Sequence, residues 1–303
     1  MPATLCIHLP DQPALLRVFD ERTREVSIGR DPSNVLALQH VSVSRCHAAM
    51  RYDGAHWSIE DTGSTNGVRI GGHAVTRQRL RHGDWFSLGD AFCEFRVVDE
   101  AEVRASSIRA EQRRQSSGIW LERLAEASDR DALMAGLMAA IMQLAECRRG
   151  FLLAGDLERG LTTAACCNLD PARPGQREFA GSSGAIMRAL HLREPVLVSD
   201  PAALDWARGR PSVIAGNLRA LVALPIVKRG QVLGVAYADS DEPGKVFTEL
   251  DHEILSAFAA QAALLLAARG LDDALARIES CILTDTEGRA EASVPAARWT
   301  QPA

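Results

Sequence analysis

Aromatic side chains make up only 5% of the 303 residues, so the cores of this chain must rest mainly on aliphatic packing. Basic residues do not dominate either. The formal net charge is −5 and the pI is near 5.9, which leaves no global field to attract nucleic acid. Seven cysteines are present, an odd number without the paired spacing of a zinc site. Cys166 and Cys167 are adjacent, a poor geometry for an ordinary disulfide, and a reducing compartment is expected. The first nine residues lack the basic start and apolar stretch of a signal peptide. The longest apolar stretch, 257–268, is interrupted by Gln261 and falls short of a membrane span. These absences lead us to expect a cytoplasmic protein without metal, membrane or nucleic-acid partner.

What is present divides into two parts. The length suggests two domains, and a hydrophobic content of 47% suffices for two cores. Residues 4–98 read as many short strands punctuated by turns, the pattern of a β-sandwich. From 99 to 118 the composition shifts to Glu, Arg, Gln and Ser with almost no large apolar residues, which predicts a linker, mobile or helical in part. A helical period follows over 119–146, with Ser128-Asp129 as a break. Strands are expected at 150–154, 161–167, 195–198, 220–228 and 231–239, with a helix over 184–191. A final helix starts at Thr248, where Thr248 and Asp251 supply capping-box chemistry. The predicted architecture is an all-β domain at 1–98, a linker at 99–118, an α/β domain with an antiparallel sheet at 119–282, and a disordered tail at 283–303.

The turns of the first domain carry the chemistry. Gly29-Arg30 follows a strand-like run, Ser44-Arg45-Cys46-His47 sits between apolar runs, and Gly63-Ser64-Thr65-Asn66-Gly67 contains an Asn-Gly turn. A phosphate monoester needs fixed charged donors for its oxygens, and arginine presents a planar fork that stays charged. In order and spacing these pieces, with Gly71-Gly72 and His82-Gly83-Asp84, resemble a forkhead-associated (FHA) domain. That resemblance implies recognition of phosphothreonine peptides. Arg30, Ser44 and Thr65 would touch the phosphate, and Arg45 would lie beside it. Asn66 would bond the peptide main chain and His47 would brace the Ser44 loop, while Gly29 and Gly67 shape the turns.

The second part also resembles a known family. Residues 194–200, Arg210-Pro211-Ser212-Val213, 218–234 and the helix start Phe247-Thr248 with Asp251 are similar to a GAF domain. Such domains sense small molecules or hold dimers; the ligand here is unknown and no cofactor is expected. The Asn-Lys of the cyclic-nucleotide type is missing, and position 252 is His. The Cys-His of bilin attachment occurs only at Cys46-His47, in the other domain. No zinc helix, P-loop or nucleophile elbow is present, so no enzyme is expected, although thiol chemistry at Cys166 or Cys167 is a third reading. Leu250, Ile254, Ala257, Gln261, Leu264, Ala268, Leu271, Leu275, Ile278 and Ile282 alternate four-three spacings, as in a coiled-coil seam that would form a homodimer. Thr284 and Thr286, beside acidic residues, would suit the FHA pocket if phosphorylated.

The expected function is a signalling adaptor for a phosphothreonine protein, with a serine/threonine kinase or its substrate as partner. The alternative is a small-molecule sensor in which the FHA domain is only a scaffold.

Overall fold

The computed structural model describes residues 2–10, 12–20, 22–157, 160–168, 182–199, 201 and 219–290. Its first domain contains β1 (Ala3–His8), β2 (Leu15–Phe19), β3 (Glu25–Gly29), β4 (Leu36–Ala37), β5 (Ala48–Tyr52) and β6 (Trp57–Asp61). These are followed by β7 (Val68–Ile70), β8 (His73–Val75), β9 (Arg77–Arg79), β10 (Asp84–Leu88) and β11 (Ala91–Val97). The strands form two sheets, ordered β2-β1-β11-β10-β7-β8 and β4-β3-β5-β6-β9. Alternation explains how they pack: in β1, Ala3, Leu5 and Ile7 are fully buried while Thr4, Cys6 and His8 are half-buried, the period of a strand with one face on a core. The few aromatics concentrate here. Buried Trp57 lies 5.2 Å from the Tyr52 ring, 5.9 Å from Phe19 and 6.3 Å from Phe95, so one large side chain ties both sheets together.

The stretch 99–118 is helical. It forms most of α1 (Glu100–Ala125), a single helix that also crosses the expected boundary at 119. Asp99 caps it by accepting from the Glu102 N–H at 2.7 Å, and its Glu, Arg, Gln and Ala residues are good helix formers. Two of its arginines pair with a neighbouring helix. Then come α2 (Arg130–Leu144), β12 (Arg149–Asp156), β13 (Gly160–Cys167), α3 (Ser183–Leu192), β14 (Val196–Val198), β15 (Ala220–Lys228), β16 (Gln231–Ser240) and α4 (Glu249–Ala290). The break between α1 and α2 falls at the expected Ser128-Asp129, where Asp129 accepts from the Ala132 N–H at 2.8 Å.

The second sheet system, β13-β12-β16-β15-β14, is antiparallel throughout. It is covered on both faces, which is why β15 reads as an unbroken apolar run. Leu152, Val222, Leu224 and Ala238 join α2 and α4 in the main core. Phe151, Leu221, Ala223 and Tyr237 face the other way, against Ala185 and Ala189 of α3. By length and composition Glu249–Leu271 is apolar enough to cross a membrane, contrary to the sequence estimate, yet Ile254, Leu255, Phe258 and Ala263 are buried in this core. Helix α4 also runs on to Ala290, past the tail boundary expected at 282. The side chains of Thr284 and Thr286 lie outside the described residues, as do 291–303 and the Arg210–Val213 motif.

Helix α1 and one short bridge connect the domains. Arg113 donates to Asp251 at 2.6 Å and Arg114 to Glu253 at 2.9 Å, so α1 lies alongside the start of α4. Ala14, just before β2, pairs in parallel with Thr248: its N–H donates to the Phe247 carbonyl at 2.8 Å and its carbonyl accepts from the Glu249 N–H at 3.0 Å. Arg17 adds an exposed ion pair to Glu249 at 2.6 Å.

Asp251 serves two elements at once. It accepts from the Thr248 N–H at 2.6 Å and the Thr248 hydroxyl at 2.7 Å, and only 4% of its side chain is exposed. Replacing it by Ala leaves Arg113 facing an empty site, and is expected to cost the second domain about 3 kcal/mol. Glu253→Ala, which breaks the exposed pair to Arg114, is expected to cost under about 1 kcal/mol. Urea unfolding of the full chain, followed through the second domain's transition, measures both.

Candidate functional site

Three loops converge at one end of the sandwich. The first leaves β3 at Gly29, and the second joins β4 to β5 and carries Val41 through His47. The third, 62–67, joins β6 to β7. Backbone contacts bind the first two: the Arg30 N–H donates to the Ser44 carbonyl at 2.8 Å and the Asp31 N–H to the Arg45 carbonyl at 3.1 Å. A Cβ on Gly29 would stand 2.1 Å from the Arg45 carbonyl oxygen, so only glycine permits this approach. Asn34 adds a clamp, its amide donating to the Arg45 carbonyl at 2.7 Å and the Asp31 carbonyl at 2.8 Å.

His47 is fully buried beneath the second loop. Its Nδ1 accepts from the Ser44 N–H at 3.1 Å, which leaves Nε2–H to donate to the Gly67 carbonyl at 3.3 Å. A ring that accepts on one nitrogen and donates from the other is neutral. Burial accordingly lowers its pKa, against smaller opposing effects of the Gly67 bond and Asp61. Above it the Ser44 hydroxyl accepts from the Thr65 N–H at 3.0 Å and reaches the Thr65 hydroxyl at 3.4 Å. The Asn66 amide donates to the Ser42 carbonyl at 2.8 Å.

The result is a cavity of about 580 Å³ that brings together Arg30, Ser44, Arg45, Thr65 and Asn66. Cys46 also lines it. Arg30 donates from Nε to the Val43 carbonyl at 3.3 Å, and neither Arg30 nor Arg45 forms an ion pair among the described residues. Two guanidinium groups beside two hydroxyls, held by buried scaffolding, can bind a dianion of phosphate size. Asp31 is the acidic member of the rim. Bonds from the Ser33 backbone and side chain hold its carboxyl below the usual value, and Arg45 adds to the effect.

Several participants were not singled out from sequence. Asp61 shapes the third loop, accepting from the Gly63 N–H at 3.0 Å and the Ser64 N–H at 2.7 Å; the run Asp61-Thr62-Gly63-Ser64 carries the signal of an Asx turn. Burial opposes ionisation of this carboxyl, but its several hydrogen bonds outweigh that and lower its pKa. Gly89 approaches Ser42 so closely that a Cβ would meet the Ser42 carbonyl oxygen at 2.4 Å, and the Asp90 N–H donates to the Ser42 hydroxyl at 2.8 Å. Asn34 and Gly89 gave no local signal of these partners, which are distant in sequence.

Besides Asp251, a second carboxylate is buried in the second domain. Asp239 is 2% exposed and accepts from Arg149 Nε at 2.5 Å. Burial pushes its carboxyl up, against the pull of Arg149. Tyr237, stacked 5.3 Å from Phe151, is also raised by burial, with Asp239 adding to it. Cys166 packs on this face while Cys167 packs on the main core, so the adjacent thiols point to opposite sides of β13. Burial pushes Cys147 up to about 12 and also raises Cys166, which makes both poor nucleophiles. Ser182 caps α3 with its own hydroxyl, 3.2 Å from the Ala185 N–H; Gly181 lies outside the described residues. No group of metal-ligating side chains occurs among the described residues.

A sandwich with a cationic loop pocket is followed by an antiparallel α/β domain. The family model of the FHA domain matches residues 26–89, and that of the GAF domain matches residues 127–267. The chain carries an FHA domain followed by a GAF domain. It is 36% identical over 72 residues to the glycogen accumulation regulator GarA of Mycolicibacterium smegmatis, covering 24% of this chain and 43% of that protein. It is 32% identical over 81 residues to an oxoglutarate dehydrogenase inhibitor of Corynebacterium jeikeium, covering 27% of this chain and 52% of that one. The chain thus spans about half the length of the curated relatives it matches. Among solved structures it is similar to the GAF domain of a phosphoenolpyruvate-protein phosphotransferase from Coxiella burnetii, at 16% identity and a TM-score of 0.45 over 55% of this chain and 98% of that one.

The neutral state of His47 has a pH signature. Its folded pKa is lowered, so the unfolded chain binds the proton more tightly and stability rises with pH. The stabilisation is fully present above the ordinary histidine pKa of about 6.5 and is lost as pH falls below it toward the folded value. Urea midpoints of the FHA transition are expected to drop between pH 7.5 and 5.5, and His47→Asn is expected to flatten that slope while lowering the midpoint at pH 7.5.

Proposed function

We propose that this protein is a cytoplasmic, non-enzymatic signalling adaptor that binds phosphothreonine-containing proteins through its FHA domain. The observation that carries the reading is the pair Arg30 and Arg45, without carboxylate partners among the described residues, beside the Ser44 and Thr65 hydroxyls in one cavity. An exposed cation needs no such scaffold, whereas a phosphate receptor must hold its donors in place before the ligand arrives. A phosphorylated segment of a serine/threonine kinase, or of its substrate, is the proposed partner.

Binding of a degenerate phosphothreonine peptide library to the full chain tests this, with the unphosphorylated library as control. Arg30→Ala is expected to weaken binding about tenfold to a hundredfold, the worth of one charge-assisted contact. Phosphate-independent binding, or binding indifferent to Arg30, would overturn it.

For the GAF domain we propose a homodimer. From Ala257 onward the four-three seam of α4 lies on the face turned away from the core: Leu264 is 58% exposed and Leu271 62%. Paired seams would cover these leucines, and two linked FHA domains would gain avidity for multiply phosphorylated partners. Leu264→Asp with Leu271→Asp is expected to convert the dimer to monomer in light scattering at unchanged helix content. The second reading, a small-molecule sensor with a non-binding FHA scaffold, draws on the buried Asp239–Arg149 pair beneath Tyr237, a polar spot on an apolar face.

A further inference from the structure

The GAF domain sits at the same end of the sandwich as the phosphate pocket. β1 runs toward that end, with Ala3 opposite Val97 and His8 opposite Phe92, and the turn after β1 leads to Ala14, which pairs with Thr248. At the other end the Val98 N–H donates to the Pro2 carbonyl at 3.0 Å. Helix α1 starts from there and reaches the first turn of α4 by Arg113. The thirteen helical steps from Glu100 to Arg113 rise about 20 Å at ~1.5 Å each, the length of a six-residue strand.

Neighbouring residues lead from the pocket to the domain seam. Ser42 lines the phosphate cavity and bonds the Asp90 N–H. Asp90 lies two residues before Phe92, the partner of His8. The β1–β2 turn that follows His8 carries Pro13, which lines a second cleft of about 200 Å³. The opposite wall of that cleft belongs to the GAF domain: Arg188 and Leu192 of α3, Glu194, Pro195 and His252. With strands about 4.8 Å apart, the path from Ser42 to Pro13 is on the order of 10–15 Å, and about five extended residues cover it. Val41 on the cavity rim and Leu192 at the cleft are 89% and 47% exposed, so each end of the path offers apolar contact. Among the described residues, two backbone hydrogen bonds and an exposed ion pair hold the start of β2 to the start of α4.

We infer that the phosphothreonine segment bound at Arg30 and Ser44 continues past Ser42 and Asp90 into the cleft between Pro13 and the GAF domain, so that the GAF domain reads residues flanking the phosphothreonine. This rests on the phosphothreonine reading and adds the second domain to the recognition surface. Such a site would discriminate among partners by residues about five positions from the phosphate, on one side.

Degenerate phosphothreonine peptides carrying a photo-crosslinking residue five to seven positions from the phosphothreonine, on either side, test it with the full chain. Crosslinks are expected within 192–198 and at His252 from one of the two series, requiring both phosphate and Arg30. Phosphate-dependent crosslinks confined to the FHA domain would overturn the inference and leave the adaptor reading standing. Failure of any phosphate-dependent binding would overturn both. The double variant Leu192→Glu, Glu194→Lys provides a second measure. It is expected to weaken the long peptides about threefold to tenfold while peptides cut to two flanking residues bind as to the unaltered chain. Equal effects on both lengths, or on neither, would overturn it.

Discussion

The imidazole of His47 holds in register two of the three loops that line the cavity. It accepts from the backbone of Ser44 on one side and donates to the carbonyl of Gly67 on the other, so the second and third loops share one rigid plate. That arrangement works only with a neutral ring, and burial supplies the neutrality. Everything above it follows: Ser44 can fix the Thr65 backbone, Thr65 can hold its hydroxyl toward the cavity, and Arg30 is anchored through the Ser44 and Val43 carbonyls. The glycines at 29 and 89 complete the support from the sides, where a methyl group would collide with the backbone of Arg45 or Ser42.

The two domains solve the scarcity of aromatic residues differently. The sandwich gathers Phe19, Tyr52 and Phe95 around Trp57 within a core that is otherwise largely aliphatic. The GAF domain instead buries both faces of one antiparallel sheet under helices, with Val, Leu, Ile and Ala doing the packing. Between them α1 acts as a spacer whose polar surface is matched to the start of α4 by Arg113 and Arg114. A stretch that is too polar to enter a core is therefore ordered by pairing rather than by burial.

The distribution of ionisable groups separates binding from structure. At the FHA pocket the cations are exposed and lack carboxylate partners among the described residues, while the histidine beneath them is buried and neutral. In the GAF domain Asp239 and Asp251 are buried against Arg149 and Arg113, and Cys147 and Cys166 are pushed toward the protonated thiol. The cations of the cavity thus lie at the loop end of the sandwich, which is also where the second domain docks.

By itself the sequence determined what depends on near neighbours. Alternation of apolar residues, the Asn66-Gly67 turn, the Asp129 break and the Thr248–Asp251 cap are local properties of the chain, and each appears where the spacing placed it. The loop motifs around Arg30, Ser44 and Thr65 were legible for the same reason. Only the tertiary structure decided which distant groups meet: Asn34 with the Arg45 carbonyl, Gly89 with Ser42, Arg113 with Asp251, and Ala14 with Thr248. The helix formers and the Asp99 cap of α1 are local, but where the helix lies was decided by α4, whose acidic residues pair with Arg113 and Arg114. Contacts of that kind depend on how whole elements pack, and no short stretch of sequence carries them.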